Sequence, residues 1–401
     1  MTAPVDVASS AIGDHALPLR FTSAPAATPR QRRRRPGLVL GIVAAMVAAT
    51  TVGVLQITAN LGYDEARAGF DAGRASTAST GATLQQELDA LASTLGNAEL
   101  LLQTDSGVLV APAAREALSV AATDARRAVT PAEDLLDRDL PDAEAKPGAF
   151  WELFAASGEL ASQTSDLDDL AADRDRALPP LTTSDIAVTD AGAAVLRSAA
   201  DAAPAFESAH LSAKNDAVIT LRDAASRASA TTLLDASAVE TLVSLQDAAA
   251  QVVATEQVEL AEKAGPLQAA RTEIEAFARS LAPGVLLEFD WNQVVNDAGY
   301  NRSMGGLTTW WWDDPDRAVI ELSNSVAEQW PAERSKALVA HEVGHAISVK
   351  CEDMYDSSTQ DSIEKWATAW AISMGFSDDA NGVWAYGYPP QSYIDAAYGC
   401  R

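Results

Sequence analysis

Residues 37–58 form an apolar run of 22 residues without a charged side chain, and no other stretch limits the fold as strongly. A helix rises about 1.5 Å per residue, so this run is long enough to cross the roughly 30 Å of hydrocarbon in a bilayer. Inside lipid, an isolated segment satisfies its own backbone hydrogen bonds only as a helix. The expectation is therefore one N-terminal transmembrane helix over 37–58. Arg30 and Arg32 to Arg35 stand directly before it. A basic cluster stays on the cytoplasmic side, which puts the N-terminus in the cytoplasm and the rest of the chain outside the cell membrane. A cleaved signal peptide fits less well, because the run exceeds a usual signal core and no A-x-A-like site follows it. Residues 1–36 have scattered Pro, Ala and Ser and no hydrophobic period, the pattern of a disordered cytoplasmic tail.

Charge agrees with this topology. The net charge is −27, and because residues 1–36 carry six Arg and two Asp, the remainder carries −31. So acidic a surface repels nucleic acid, which removes that class of partner, and it favours solubility beyond the membrane. Residues 59–282 are rich in Ala, Asp, Glu, Leu and Ser and read as a helical bundle or stalk. Leu84, Leu88, Leu91, Leu95 and Leu102 fall on one helical stripe. Val253, Leu260, Leu267, Ile274 and Leu281 repeat every seven residues, a coiled-coil spacing that Gly265-Pro266 should split. Further breaks are expected near 105–112, 130–131, 147–148, 179–184 and 229–236. Self-association through the bundle is one partner expectation. His210 reads as a solvated helix residue.

Composition changes near Pro283. Trp291, Tyr300, Trp310, Trp311, Trp312 and Trp330 crowd into about fifty residues, more often a sign of core or domain contact than of a substrate platform. Strands are expected over 285–291, 308–312 and 318–323, with a turn at Asp313-Asp314-Pro315-Asp316. With two helices behind them, residues 283–401 predict a small α+β domain. A strand at 318–323, if it lies at an edge, can align an extended peptide by backbone pairing.

The chemistry is concentrated in His341-Glu342-Val343-Gly344-His345. The chain has 4 histidines, and two of them stand here at H-E-x-x-H spacing. On a helix, His341 and His345 lie one turn apart on one face and can reach one metal ion, with Glu342 beside them as a base. Pro331 suits the first turn of that helix, and Gly344 is its only internal breaker. A catalytic zinc site normally takes three protein ligands and leaves one position open. Residues 357–374 read as a second helix, capped by Ser357 or Ser358 and closed by Gly375. Glu364 lies on it, and Ala367, Trp370 and Ala371 form a face that would turn its carboxylate toward the histidines. Asp361, Asp353 and Asp356 are the alternatives for the third ligand.

These residues resemble the gluzincins, the thermolysin-like zinc metallopeptidases whose third ligand is a glutamate on a following helix. The resemblance covers about the last 120 residues, H-E-x-x-H and Glu364-x-x-Ala367. It implies that His341, His345 and Glu364 bind zinc and that Glu342 is the general base for attack of zinc-bound water on a peptide bond. Many members carry Asp after that Ala, supporting a ligand histidine, where this chain has Thr368. The metzincin pattern would need Gly at Ser348 and His at Cys351. A tyrosine among Tyr386, Tyr388, Tyr393 and Tyr398 is expected to steady the oxyanion.

Cys351 and Cys400 are the only cysteines. A disulfide between them would pin the C-terminal tail to the end of the metal helix, worth roughly 4 kcal/mol by loop closure, and it needs an oxidising compartment. Two reduced, buried thiols are the alternative. The whole reads as a mostly α chain: transmembrane helix, extracytoplasmic helical bundle, and C-terminal zincin-like domain. The function it implies is a membrane-anchored zinc metallopeptidase acting on peptide or protein substrates. A noncatalytic surface scaffold or sensor with a structural zincin-like module is the alternative.

Overall fold

The computed structural model describes residues 36–401. The expected tail and the arginine cluster lie outside the described residues, save for Pro36. The described chain is mostly helical, with one small mixed sheet toward its C-terminus. It divides into two compact units, the first made of residues up to 68 together with 144–160, the second of 69–143 together with 161–401.

In the first unit, the helix α1 (Pro36–Thr104) begins with a stretch long and apolar enough to cross a membrane. Its side chains, including Leu40, Met46, Val47, Val54 and Ile57, stand exposed. The hydroxyls of Thr50, Thr51 and Thr58 bond back to the carbonyls of Met46, Val47 and Val54, so these three hydroxyls are satisfied within the helix. Residues 144–149 run alongside and lead into the first turns of α3 (Phe150–Ala209).

In the second unit, α1 and α3 continue and are joined by α2 (Pro112–Leu136), α4 (Asn215–Ala230) and α5 (Ala236–Glu262). Leu84, Leu88, Leu91 and Leu95 all lie in the shared core with Leu118, Leu181, Leu196, Leu221 and Leu242, as the stripe on α1 requires. The breaks expected near 105–112, 147–148 and 229–236 are present, but α2 runs through Pro131 and α3 through Pro179 and Pro180. These prolines and the residues four positions earlier, Arg127, Asp175 and Arg176, are exposed. The carbonyls that lose a partner therefore face water, and the buried face holds the helix together.

The seven-residue stripe of α5 is displaced. Val252 and Glu259 are buried, whereas Leu260 is 42% exposed. The chain buries Glu259 because it can pair it: Lys263 lies 3.5 Å from Glu259 and 3.2 Å from Glu275. Glu275 is on α6 (Gln268–Leu281), which follows the expected split at Gly265-Pro266. Helix α6 packs with the C-terminal elements, giving Ile274 and Ala278 to their core. His210 stands just past the end of α3 with Nδ1 2.5 Å from Glu256, so it is paired and not simply solvated.

Three strands follow: β1 (Leu286–Asn292), β2 (Gly306–Trp311) and β3 (Asp314–Ser323), in the order β1-β3-β2. Strand β3 runs parallel to β1 and antiparallel to β2, with Ile320 opposite both Phe289 and Thr308. Residues 318–323 are thus central, and the edge beside the later helices belongs to β2. The expected four-residue turn shortens to Trp312 and Asp313, because Trp311 already pairs with Asp314. Pro315 sits near the start of its strand, where a missing N–H is tolerated. Beyond β3 come α7 (Asn324–Glu328), α8 (Glu333–Ser348), α9 (Gln360–Ser373), α10 (Val383–Tyr386) and α11 (Gln391–Ala397). Pro331 precedes α8 and is not in its first turn. Cys351 and Cys400 form the disulfide, and Trp370 Nε1 donates to the carbonyl of Cys400 at 2.9 Å, so the tail is held to α9 as well.

Candidate metal centre

Helix α8 is buried at nearly every position from Ala337 to Ser348, because the sheet packs on one side and α9 on the other. Small residues allow this. A Cβ on Gly344 would lie 2.8 Å from the backbone oxygen of Ala367, so glycine is needed for α8 and α9 to approach so closely. Helix α9 begins at Gln360, capped by Thr359 rather than Ser357 or Ser358. Ser358 is engaged with Asp356 instead. Gly375 follows the helix with φ +93°, the left-handed closure that glycine accepts at no cost.

This packing brings three side chains together. His341 Nε2 lies 3.2 Å from Glu364 Oε2 and 3.2 Å from His345 Nε2, and His345 Nε2 lies 3.0 Å from Glu364 Oε2. Ligand atoms about 2.0–2.1 Å from a tetrahedral zinc ion would be spaced by about 3.3 Å. The donor set and its spacing therefore fit such an ion. Among the described residues, no other three His, Cys, Asp or Glu side chains converge in this way. Asp361 turns out to pair with Lys365, Asp353 and Asp356 are exposed, and Cys351 is in the disulfide.

The surroundings set the ligands' orientation. Gln360 Nε2 donates to Glu364 Oε1 at 2.7 Å, leaving Oε2 for the histidines. Burial pushes the Glu364 carboxyl up, but the His341 and His345 rings against it outweigh burial and hold the group well below the usual carboxylate range. Thr368 donates its hydroxyl to the Glu364 carbonyl at 2.8 Å and lies 3.4 Å from His341 Nδ1. With its proton committed, the hydroxyl can only accept from Nδ1–H, which leaves the Nε2 lone pair facing the cluster. His345 Nδ1 is buried without a partner, and its ring is held by Trp310, stacked 5.2 Å away at 5°. Gly382, at φ +102°, lies against His341 and Thr368, where a Cβ would collide with both.

Glu342 is clamped from the sheet. Thr308 Oγ1 donates to Glu342 Oε2 at 2.8 Å, and a Cβ on Gly306 would run into the same carboxylate. Burial raises the Glu342 carboxyl to about 7, against the downward pull of His341 and the Thr308 hydroxyl, with Glu364 adding to the rise. Of the four tyrosines, only Tyr386 reaches the site, its ring 5.9 Å from that of His341 and nearly parallel to it. Burial and the Glu364 and Glu342 carboxylates push its hydroxyl up to about 12. Tyr393 is committed to Ser362 and the Asp356 amide, while Tyr388 and Tyr398 are exposed.

His341, Glu342 and Tyr386 open onto a cleft of about 740 Å³, walled by Asn296 and Asp297, by Arg334 and Leu338 of α8, and by Trp384. The tryptophan cluster meets the expectation of a core only in part: Trp291, Trp310 and Trp330 pack against the C-terminal core, the other two less so. Trp310 stacks on a candidate ligand, Trp311 lies under Arg317, and Trp312 is 45% exposed, whereas Trp366 and Trp370 of α9 are fully buried. Trp310 faces the site because β2 presents Gly306, Thr308 and Trp310 on one side. Sequence reasoning missed Thr308, Gln360 and Gly382. A strand alternation started at Gly306 would have marked Thr308, but nothing local marks the other two. The chain matches no known protein-family model, no curated protein and no solved structure.

Proposed function

We propose that the protein is a membrane-anchored, extracytoplasmic zinc metallopeptidase of gluzincin type. The observation that carries this reading is the convergence of His341, His345 and Glu364 within 3.2 Å of one another, next to a buried carboxylate and at the floor of an open cleft. His341, His345 and Glu364 would hold the ion, which when bound supplies Lewis-acid polarisation and a water of lowered pKa. Glu342 takes the proton of the attacking water and returns it to the leaving amine. A carboxyl near neutrality suits both transfers. Tyr386, with its hydroxyl protonated at every ordinary pH, donates to the oxyanion that develops on the scissile carbonyl. The outer edge of β2 aligns an extended peptide across the cleft by backbone pairing.

The apolar start of α1 supports the anchor, and the Cys351–Cys400 disulfide supports a compartment outside the reducing cytoplasm. The bundle then serves as a spacer between membrane and enzyme. The test uses the full chain in detergent, loaded with zinc, against a peptide library. Wild type binds one zinc ion and cuts. Glu342→Ala keeps the zinc and loses nearly all turnover, and His345→Ala loses the metal too. Stoichiometric zinc without any cleavage by wild type would replace this proposal with a noncatalytic scaffold, and normal cleavage by Glu342→Ala would refute Glu342 as the base.

A further inference from the structure

We propose that the start of α3 is a second membrane contact, with Trp151 and Phe154 seated in the headgroup region beside the transmembrane helix. This rests on reading the apolar start of α1 as that helix. Within the first unit the chain dips toward the apolar run just before α3 begins. Tyr63 Oη donates to the Glu144 carbonyl at 3.5 Å, Lys146 pairs with Asp64 at 2.6 Å, and Gln56 Nε2 donates to the Gly148 carbonyl at 3.1 Å. From residue 144 to residue 148 the contacts thus step back along α1 from Tyr63 to Gln56, which lies inside the apolar run. Helix α3 starts two residues later, so its first residue stands within about 7 Å of that level.

What this turn presents is aromatic and outward-facing. Trp151 is 63% exposed and Phe154 46% exposed, and three positions apart they share one face. Phe150 packs edge-on against Trp151 at 5.0 Å. On α1, Ile57 and Leu61 are likewise 63% and 66% exposed, one turn apart at the same height. Exposed apolar side chains in water are costly, but at the boundary between hydrocarbon and headgroups they are at home, and tryptophan favours that boundary because its ring is apolar and its N–H is polar. The ions nearby are compatible with this depth. Lys146 and Asp64 neutralise each other, and Glu152 lies about 100° round the helix from Trp151, on a side that can remain in water. A lipid surface is the occupant favoured, since the patch is continuous in level with a helix already proposed to enter lipid.

The full chain is reconstituted into phosphatidylcholine vesicles carrying a nitroxide either near the headgroup or deep in the acyl chain. Subtracting the fluorescence of Trp151→Phe from that of wild type isolates Trp151 among the nine tryptophans. The expected Trp151 signal is shifted to the blue and loses more intensity to the shallow nitroxide than to the deep one. Quenching by aqueous iodide and by neither nitroxide would place Trp151 in water and overturn the proposal. Resistance to iodide and to both nitroxides would overturn it in favour of a protein partner or a second copy. Alkaline carbonate washing separates the two readings: a chain released from the vesicles refutes the anchor itself, whereas a chain retained with Trp151 unquenched by lipid refutes only the aromatic contact.

Discussion

Glu342→Gln should stabilise the metal-free protein, and only above a definite pH. Burial raises the Glu342 carboxyl to about 7 in the folded chain, from an ordinary 4.5. The folded state therefore holds this proton more tightly than the unfolded one, and stability falls as pH rises from about 4.5 to about 7, then levels off. At about 1.4 kcal/mol per pH unit, the difference amounts to on the order of 3 kcal/mol. Glutamine has the same shape, can accept the hydrogen bond from Thr308, and never ionises. Wild type and variant should accordingly be equally stable near pH 4.5, with the variant ahead by about 3 kcal/mol at pH 8. Glu364 shifts in the opposite direction, but it is present in both proteins and cancels in the comparison. Denaturant unfolding in the presence of a chelator, followed by the fluorescence of the buried Trp366 and Trp370, reads the difference. A gap that stays constant between pH 4.5 and 8 would refute burial as the cause of the raised carboxyl.

Gly344→Ala should force α8 away from the Ala367 carbonyl, which a Cβ would approach to 2.8 Å. Overpacking of this kind costs about 1–3 kcal/mol, and zinc affinity in a chelator competition should fall, because His345 and Glu364 lie on the two helices being separated. Replacing Cys351 and Cys400 together by serine removes the disulfide and should cost about 4 kcal/mol of thermal or denaturant stability, whereas a reducing agent should leave the double variant unchanged. Glu275→Ala should cost about 1–3 kcal/mol in the same assay, since it leaves Lys263 with Glu259 alone and takes the acceptor from the Trp291 indole N–H.

The elements legible in the sequence are those whose signal is local. The apolar run of α1, the Leu84 to Leu95 stripe, the helices carrying H-E-x-x-H and Glu364, and the pairing of Cys351 with Cys400 all follow from spacing within a segment or from the cysteine count. What was misread depends on which face a tertiary neighbour covers. The stripe of α5 moved because Lys263 makes burial of Glu259 affordable, and Pro179 and Pro180 did not end α3 because the carbonyls they orphan face water. Residues 318–323 look like an edge strand until β2 is seen to pair on one side and β1 on the other. The choice of Tyr386 over Tyr393 was likewise not available, since both lie on short C-terminal segments whose placement is set by Gly382 and by Ser362.

Thr368, where many gluzincins carry aspartate, is better understood from the charge of the assembled site than from substitution pattern. With a divalent cation bound as proposed, the carboxylates of Glu364 and Glu342 and two neutral imidazoles give a site with no net charge, enclosed by residues that are almost all buried. A third carboxylate at 368 would leave one negative charge uncompensated in a poorly solvated place, which is costly. The threonine hydroxyl fixes the His341 tautomer without adding charge, and the stacking of Trp310 fixes the His345 ring without a hydrogen bond at all. Neither partner strengthens the basicity of an imidazole as a carboxylate does. Affinity for the ion must then come from preorganisation: three donor atoms already held within 3.2 Å of one another by α8 and α9, so that little ordering remains to be done when the ion arrives.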